Sequence, residues 1–224
     1  MTAEQFIRQL RQQVEAKSLL RHPFYQKWIA GELTFDQLRC YAVQYYHHEA
    51  AFPRYLSAVH TRCPHLPVRQ QILANLWDEE YGPQNHPALW LQFCAALGLE
   101  RQQVEEGTVL PETRALIATM TALTSQGHFV EGLGAPFAYE SQVPAIATKK
   151  IEGLKAFYGV ADVEALAFFT VHQEADTAHS QSEAEIIARY AATPEARAAV
   201  QRAVDAALDA HWLFLDGVLR ASPS

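Results

Sequence analysis

The feature that most constrains this chain is its succession of helix caps and stops. Capping Thr and Asp residues, prolines and terminal glycines recur along its length, and the segments between them carry apolar residues at helical spacing. No sustained apolar–polar alternation and no Asn-Gly hairpin turn is present, so strands have no local support. Thr2 with Gln5 three residues on is a capping-box pattern that predicts a first helix over 3–17. "HPFYQKWIAGE" reads as a short helix ended near Gly31, and Thr34 caps a long one over 35–62 that stops before Pro64. Pro67 opens the next, to about Tyr81, where "GPQNHP" breaks it; "ALWLQFCAALGL" then closes at a glycine. Pro111 starts a helix to about Gln126, and a long one over 128–158 closes at Gly159. Asp162 caps a helix to about 191, and Thr193-Pro194 opens the last, to about 220. Pro53 and Pro144 are expected to kink the long helices that contain them, because proline removes an N–H and crowds the preceding turn. The expectation is an all-α bundle of seven to nine helices, with residues 1–224 forming a single domain.

Composition narrows the function classes. With 224 residues, 49% hydrophobic and 19% charged, the chain can bury a substantial core. Its net charge of −7 offers no basic footprint for nucleic acid. The N-terminal segment lacks the apolar stretch of a signal peptide, and no run reaches the roughly 18 apolar residues of a membrane span. Cys40, Cys63 and Cys94 are scattered and form no CxxC pair, which suggests reduced thiols and a cytoplasmic location.

Three clusters carry the chemistry. In "FFTVHQEADTAHS", Asp176 lies about 40° and His179 about −20° around a helix from His172, so all three share one stripe with apolar neighbours. A buried carboxylate and two imidazoles need partners, and one divalent metal satisfies all three. In "WDEEYGPQNHPALW", Glu79 and His86 are two helical turns apart, although Gly82-Pro83 should break the helix between them and His86 could come from the turn. In "GAPFAYESQVPAIATKK", Glu140 sits in an apolar stretch with Pro144 four residues on. Each cluster alone has an ordinary structural reading as core histidines or solvated acids. Together they place carboxylates and histidines on three helical segments, as helix-bundle dinuclear oxidases do, though without the usual Glu-x-x-His pairs. Glu49, whose carbonyl Pro53 frees, reads as a hydrogen-bond partner behind such a site or as part of a polar knot at the kink. Glu183, one turn after His179, reads as a solvated carboxylate at the site mouth.

The pattern E-x6-H, then E, then H-x3-D-x2-H resembles the haem-oxygenase-like di-metal oxidase superfamily. Within it the chain is most similar to the CADD-like group (chlamydial protein associating with death domains), related to the PQQ synthesis protein and to thiaminase-like proteins. The resemblance spans essentially the whole chain, including "HPFY" and "AYESQVP". It implies that Glu79, His86, Glu140, His172, Asp176 and His179 hold two transition metal ions, Fe/Fe or Mn/Fe. It further implies O2-dependent formation of p-aminobenzoate for folate synthesis, with the ring taken from a tyrosine of the protein itself and the amine from a lysine. By the same resemblance Tyr25 is the sacrificed residue, Tyr41 and Tyr139 are supporting site tyrosines and Lys150 is the amine donor. Helical phase favours Lys150, at about −80° from Glu140, over Lys149 at about 180°. O2 and an external reductant are the partners this chemistry needs, and a homodimer is left open.

Two other readings compete. One is a cofactor-independent oxidase or a thiaminase-like hydrolase on the same fold; the hydrolase needs an activated cysteine, and none lies in the three clusters. The other is a non-catalytic helical adaptor that binds partner proteins, for which no peptide-binding motif speaks.

Overall fold

In the computed structural model, which describes residues 1–221, helices begin where the sequence places caps. Thr2 opens α1 (Ala3–Ala16) and Thr34 opens α3 (Phe35–Glu49), both with reciprocal capping boxes. Between them, a 3-10 turn at Leu19–Arg21 precedes α2 (Pro23–Ala30). Gly31 ends α2 in the left-handed conformation, φ 71°, which a side chain would strain. The remaining helices are α4 (Phe52–Arg62), α5 (Leu66–Glu80), α6 (His86–Ala96), α7 (Arg101–Glu105), α8 (Pro111–Ser125), α9 (Phe129–Gly132), α10 (Gly134–Glu140), α11 (Val143–Phe157), α12 (Val163–Tyr190) and α13 (Pro194–Ala221). No strand occurs among the described residues, and no helix is long and apolar enough to cross a membrane.

The two long helices expected to kink are instead divided. Residues 35–62 form α3 and α4, and residues 128–158 contain α9, α10 and α11. Pro53 and Pro144 sit in the first turns of α4 and α11, where a missing N–H leaves no helical bond unmade. Each proline therefore restarts a helix, and the carbonyl ends of α3 and α10 fall at Glu49 and Glu140. The count exceeds nine for this reason, and because α7 was too short to stand out in the sequence.

The 28-residue helices α12 and α13 form the frame. α12 packs against α6, α10 and α11; α13 packs against α8, α9 and α10. One continuous apolar cluster runs through the bundle, with Trp28, Tyr41, Trp90, Phe93, Phe168 and Phe169 among its largest fully buried side chains. α2 meets α11 closely. Trp28 donates its indole N–H to the Lys150 carbonyl at 3.3 Å, and its ring lies over Gly153. A Cβ at Gly153 would meet Trp28 Cδ1 at 2.7 Å and Nε1 at 2.9 Å.

Gly153→Ala gains about 1 kcal/mol of helix propensity, but overpacking a rigid indole costs about 1–3 kcal/mol. A net loss of stability is therefore expected in urea unfolding. Unchanged or raised stability would show that α2 and α11 can separate without cost.

Candidate metal centre and the tyrosines beside it

α12 supplies a stripe of four polar side chains, His172, Asp176, His179 and Glu183, each at most 8% exposed. Facing it, α5 contributes Asn75 and Glu79, one turn apart and both buried. α6 begins with His86, set by the Asn85 cap, whose side chain accepts the Ala88 N–H at 3.0 Å. The break at Gly82-Pro83 thus delivers His86 from the first residue of a new helix rather than from the turn. α10 ends at Glu140 and α3 at Glu49.

These residues gather into two adjoining groups. Ligand atoms of Glu49, His86 and His172 lie within 4.8 Å of one another, as do those of Glu79, Glu140 and His179. Asp176 Oδ1 is 3.6 Å from His179 Nδ1, beside the second group. Glu79 Oε2 approaches His86 Nδ1 to 2.9 Å and so touches the first group as well. All six residues expected as metal ligands are therefore brought together.

Outer partners fix how the imidazoles face. His172 Nδ1–H donates to the Phe168 carbonyl at 2.6 Å, which leaves Nε2 as a lone pair directed inward. His179 Nε2–H donates to Asp78 at 3.1 Å, which turns Nδ1 toward Glu140 and Asp176. Asn75 donates to one Glu140 oxygen at 2.9 Å. Nothing in the sequence marked Asp78; Asn75 carried only the weak signal of standing one turn before Glu79.

The inner atoms are orphaned. Glu79 Oε2, His86 Nδ1, Glu140 Oε2, Asp176 Oδ2, His179 Nδ1 and both Glu183 oxygens are buried without a hydrogen-bond partner. The 2.9 Å contact between Glu79 and His86 lacks hydrogen-bond alignment, so both lone pairs are better read as aimed at a shared point. Burial, with neighbouring acids, pushes the Glu49 carboxyl up to about 8 and the Asp176 carboxyl up to about 7. Glu79 and Glu183 are pushed well above the usual carboxylate range by the same causes. At His179 burial opposes protonation, but the Asp176 and Glu140 carboxylates 3.6 and 3.5 Å from Nδ1, together with the hydrogen bond to Asp78, outweigh it and raise the imidazole to about 11. Five buried acids with so little compensating charge are unfavourable in a low-dielectric interior. Two divalent cations would neutralise most of that charge and occupy the orphaned atoms, and mixed imidazole and carboxylate donors suit iron or manganese. The fit is good.

Two sequence readings change here. Glu49, read as a partner behind the site, stands among the ligand-capable atoms themselves. Glu183, read as solvated, is 4% exposed, because α12 turns its whole polar stripe into the bundle.

Beside the first group lies a tyrosine cluster. The Tyr25 and Tyr41 hydroxyls are 3.1 Å apart, and Lys150 Nζ donates to Tyr41 at 2.7 Å. Lys150 is 3% exposed and faces the rings of Tyr25, Tyr41, Tyr45, Trp90 and Phe169. Burial brings its ammonium down to about 7, with the Glu49 charge opposing. Lys149 instead points outward and pairs with Glu152 at 2.7 Å, which separates the two lysines by environment. Tyr139 contacts the Tyr45 hydroxyl and stacks on His211 at 4.7 Å. Tyr45 and His211 were not singled out in the sequence, since an aromatic on a helix reads first as core. The three cysteines form no disulfide, and burial pushes the Cys94 thiol up to about 12, away from nucleophilic use.

The sequence profile of a family described as iron-containing redox enzymes matches residues 39–212. A 4-aminobenzoate synthase from Nitrosomonas europaea is 46% identical over 97% of this chain and 92% of that protein. One from Chlamydia pneumoniae is 39% identical over 97% of this chain and 96% of its own length. A pyrroloquinoline-quinone synthase from Gluconobacter oxydans is 25% identical over 97% and 92%. Among solved structures, a CADD-like protein from Nostoc punctiforme superposes with TM-score 0.81 at 19% identity, covering 99% of each chain. A TenA homologue from Pseudomonas syringae gives 0.84 at 20% identity over 98% of this chain and 96% of that one. At such identities the two structures show a shared fold.

Anaerobic addition of Fe(II) to metal-free protein is expected to raise its melting temperature. At an ion concentration about 100 times the dissociation constant the gain is about 2.7 kcal/mol, or about 5–10 °C for a chain of this size. Asn75→Ala removes the donor that holds Glu140 and should weaken ion binding about 10–100-fold, shrinking that shift. An unchanged melting curve on metal addition would count against the centre.

Proposed function

This chain belongs to the family of iron-containing redox enzymes with a haem-oxygenase-like fold, and from that premise we propose that it makes 4-aminobenzoate from its own Tyr25, with Lys150 as amine donor. The observation that carries the reading is the buried triad in which Lys150 and Tyr25 both reach the Tyr41 hydroxyl, beside atoms able to hold two metal ions. The relatives named 4-aminobenzoate synthase, 39–46% identical to this chain, support it.

Tyrosine already has the skeleton of the product. Its ring is para-substituted, with one carbon where the carboxylate must be and an oxygen where the amine must be. The conversion requires scission of Cα–Cβ, oxidation of Cβ to a carboxylate and exchange of the phenolic oxygen for the Lys150 nitrogen, which breaks the ring C–O bond and the Lys150 Cε–Nζ bond and leaves the lysine carbon bonded to oxygen. O2 and an external reductant are the co-substrates this oxidation calls for. Glu79, His86, Glu140, His172, Asp176 and His179 would hold the two ions, and their nitrogen and oxygen donors accommodate an Fe/Fe or a Mn/Fe pair. Bound there, such ions would supply reductive activation of O2 next to the tyrosines.

The chain's own residues do the rest. Aromatic walls strip water from Lys150, so at neutral pH a large fraction of its amine is unprotonated and nucleophilic. Tyr41 orients both partners: its hydroxyl receives the lysine N–H and contacts the Tyr25 hydroxyl. Phe24 and Trp28 pack around these rings and fix their position. A cavity of about 310 Å³ lined in part by Asn75, Asp78, His179 and Glu183 lies against the second group of ligand-capable residues.

Product is expected to stop at about one 4-aminobenzoate per chain. Tyr25→Phe keeps ring packing but removes the oxidisable phenol, and should abolish product while both ions remain bound. Lys150→Arg should also abolish it, because a guanidinium stays protonated. In the wild type, the single-turnover rate should rise with pH through about 7 as Lys150 loses its proton, since its pKa is lowered by burial. Ring-labelled tyrosine placed in the protein should appear in the product by mass spectrometry. Many turnovers per chain, or unlabelled product from labelled protein, would transfer the role to a bound small molecule.

A further inference from the structure

Glu49 lies outside the three-part motif, at the C-terminal residue of α3 and 2% exposed. Its Oε1 is 4.0 Å from His172 Nε2, too far for a hydrogen bond. The separation suits two donors on one ion. Donors each about 2.1 Å from a metal stand about 3.0 Å apart at right angles and about 4.2 Å apart in line. His172 cannot satisfy its Nε2 by turning away, because its Nδ1–H is held by the Phe168 carbonyl. His86 completes the triangle, with all three ligand atoms inside 4.8 Å. Without Glu49 this position would hold two neutral imidazoles and a share of Glu79, while Glu140, Asp176 and His179 crowd the other. Helix geometry adds a second observation. Tyr41, Tyr45 and Glu49 follow one another at four-residue steps on α3, each about 40° on from the last. The stripe runs from the Lys150–Tyr25 contact to the metal-capable atoms.

We propose that Glu49 is a seventh protein ligand, which gives the first position its own carboxylate beside His86 and His172 and ties that ion to the α3 face bearing Tyr41 and Tyr45. The proposal rests on the metal centre described under the proposed function. Glu79 then lies between the two positions, and Glu140, Asp176 and His179 belong to the second. Ligation at the end of α3 fixes the register of the tyrosine stripe against the centre, so loading of the first ion and placement of Tyr41 are coupled.

The test is anaerobic Mn(II) titration of the metal-free full chain, read by calorimetry and by the electron paramagnetic resonance of free and bound ion. Wild type is expected to bind two ions. Glu49→Gln should keep one tight ion and bind the other at least about 10-fold more weakly. In a His172→Ala background, Glu49→Gln should cause no further loss, because the two residues serve the same ion. In a Glu140→Gln background it should remove a second, different ion. Metal-free melting curves check that each variant folds; if Glu49→Gln does not, Glu49→Asp, which keeps the charge but shortens its reach, must show the same selective weakening. Two ions bound with wild-type affinity in Glu49→Gln or in a folded Glu49→Asp would overturn the Glu49 assignment and leave the two-ion centre standing. Wild type that binds no pair of ions would overturn the centre and this assignment together.

Discussion

Five carboxylates buried against one another are the constraint on which this structure turns. Glu49, Glu79, Glu140, Asp176 and Glu183 come from α3, α5, α10 and α12, and none is more than 4% exposed. Isolated buried carboxylates of this kind either take up protons or find cations. The surrounding framework does not relieve the tension; it enforces it. His172 and His179 are turned inward by Phe168 and Asp78, and Glu140 is steadied by Asn75. This arrangement orients donors, leaves their inner lone pairs unmet and so is able to hold ions.

Helix ends do much of the positioning. Pro53 and Pro144 restart helices just after Glu49 and Glu140, so each of these side chains stands at a helix C-terminus. His86 stands at an N-terminus, one residue past its Asn85 cap. Such breaks let four segments converge on one point without forcing their axes to cross there. The long uninterrupted α12 is the reference surface, and its polar stripe sets where the others must meet.

Next to this charged centre the environment changes within a few side chains. Lys150 is surrounded by aromatic rings and held by a phenol, so burial acts on it with little opposition. Its carbonyl is fixed by Trp28, and Gly153 allows that indole to lie directly on α11. The helix that presents Tyr25 and the helix that presents Lys150 are thus locked by one contact between a large ring and a missing side chain. A lysine amine and a phenol can then be kept near each other and away from water.

Much of this is legible in the sequence alone. Caps and prolines set the helices, the H-x3-D-x2-H spacing set one polar stripe, and the resemblance extended it to six residues that do converge. Local sequence determines such features because helix period and capping act over a few residues. What it could not determine was which polar groups face the interior across helices. Glu49 reads as a partner behind the site or part of a polar knot at the kink, and Glu183 as solvated, because an acid beside other polar residues carries no sign of what packs across it; the folded bundle buries both. Tyr45, Asp78 and His211 gave no signal because their partners lie far away in sequence. The prolines were visible, yet whether they kink a helix or divide it was not legible, because a proline is compatible with both a kink and a new first turn. Tertiary structure decided that, since only the folded bundle brings five acids close enough to require a common partner.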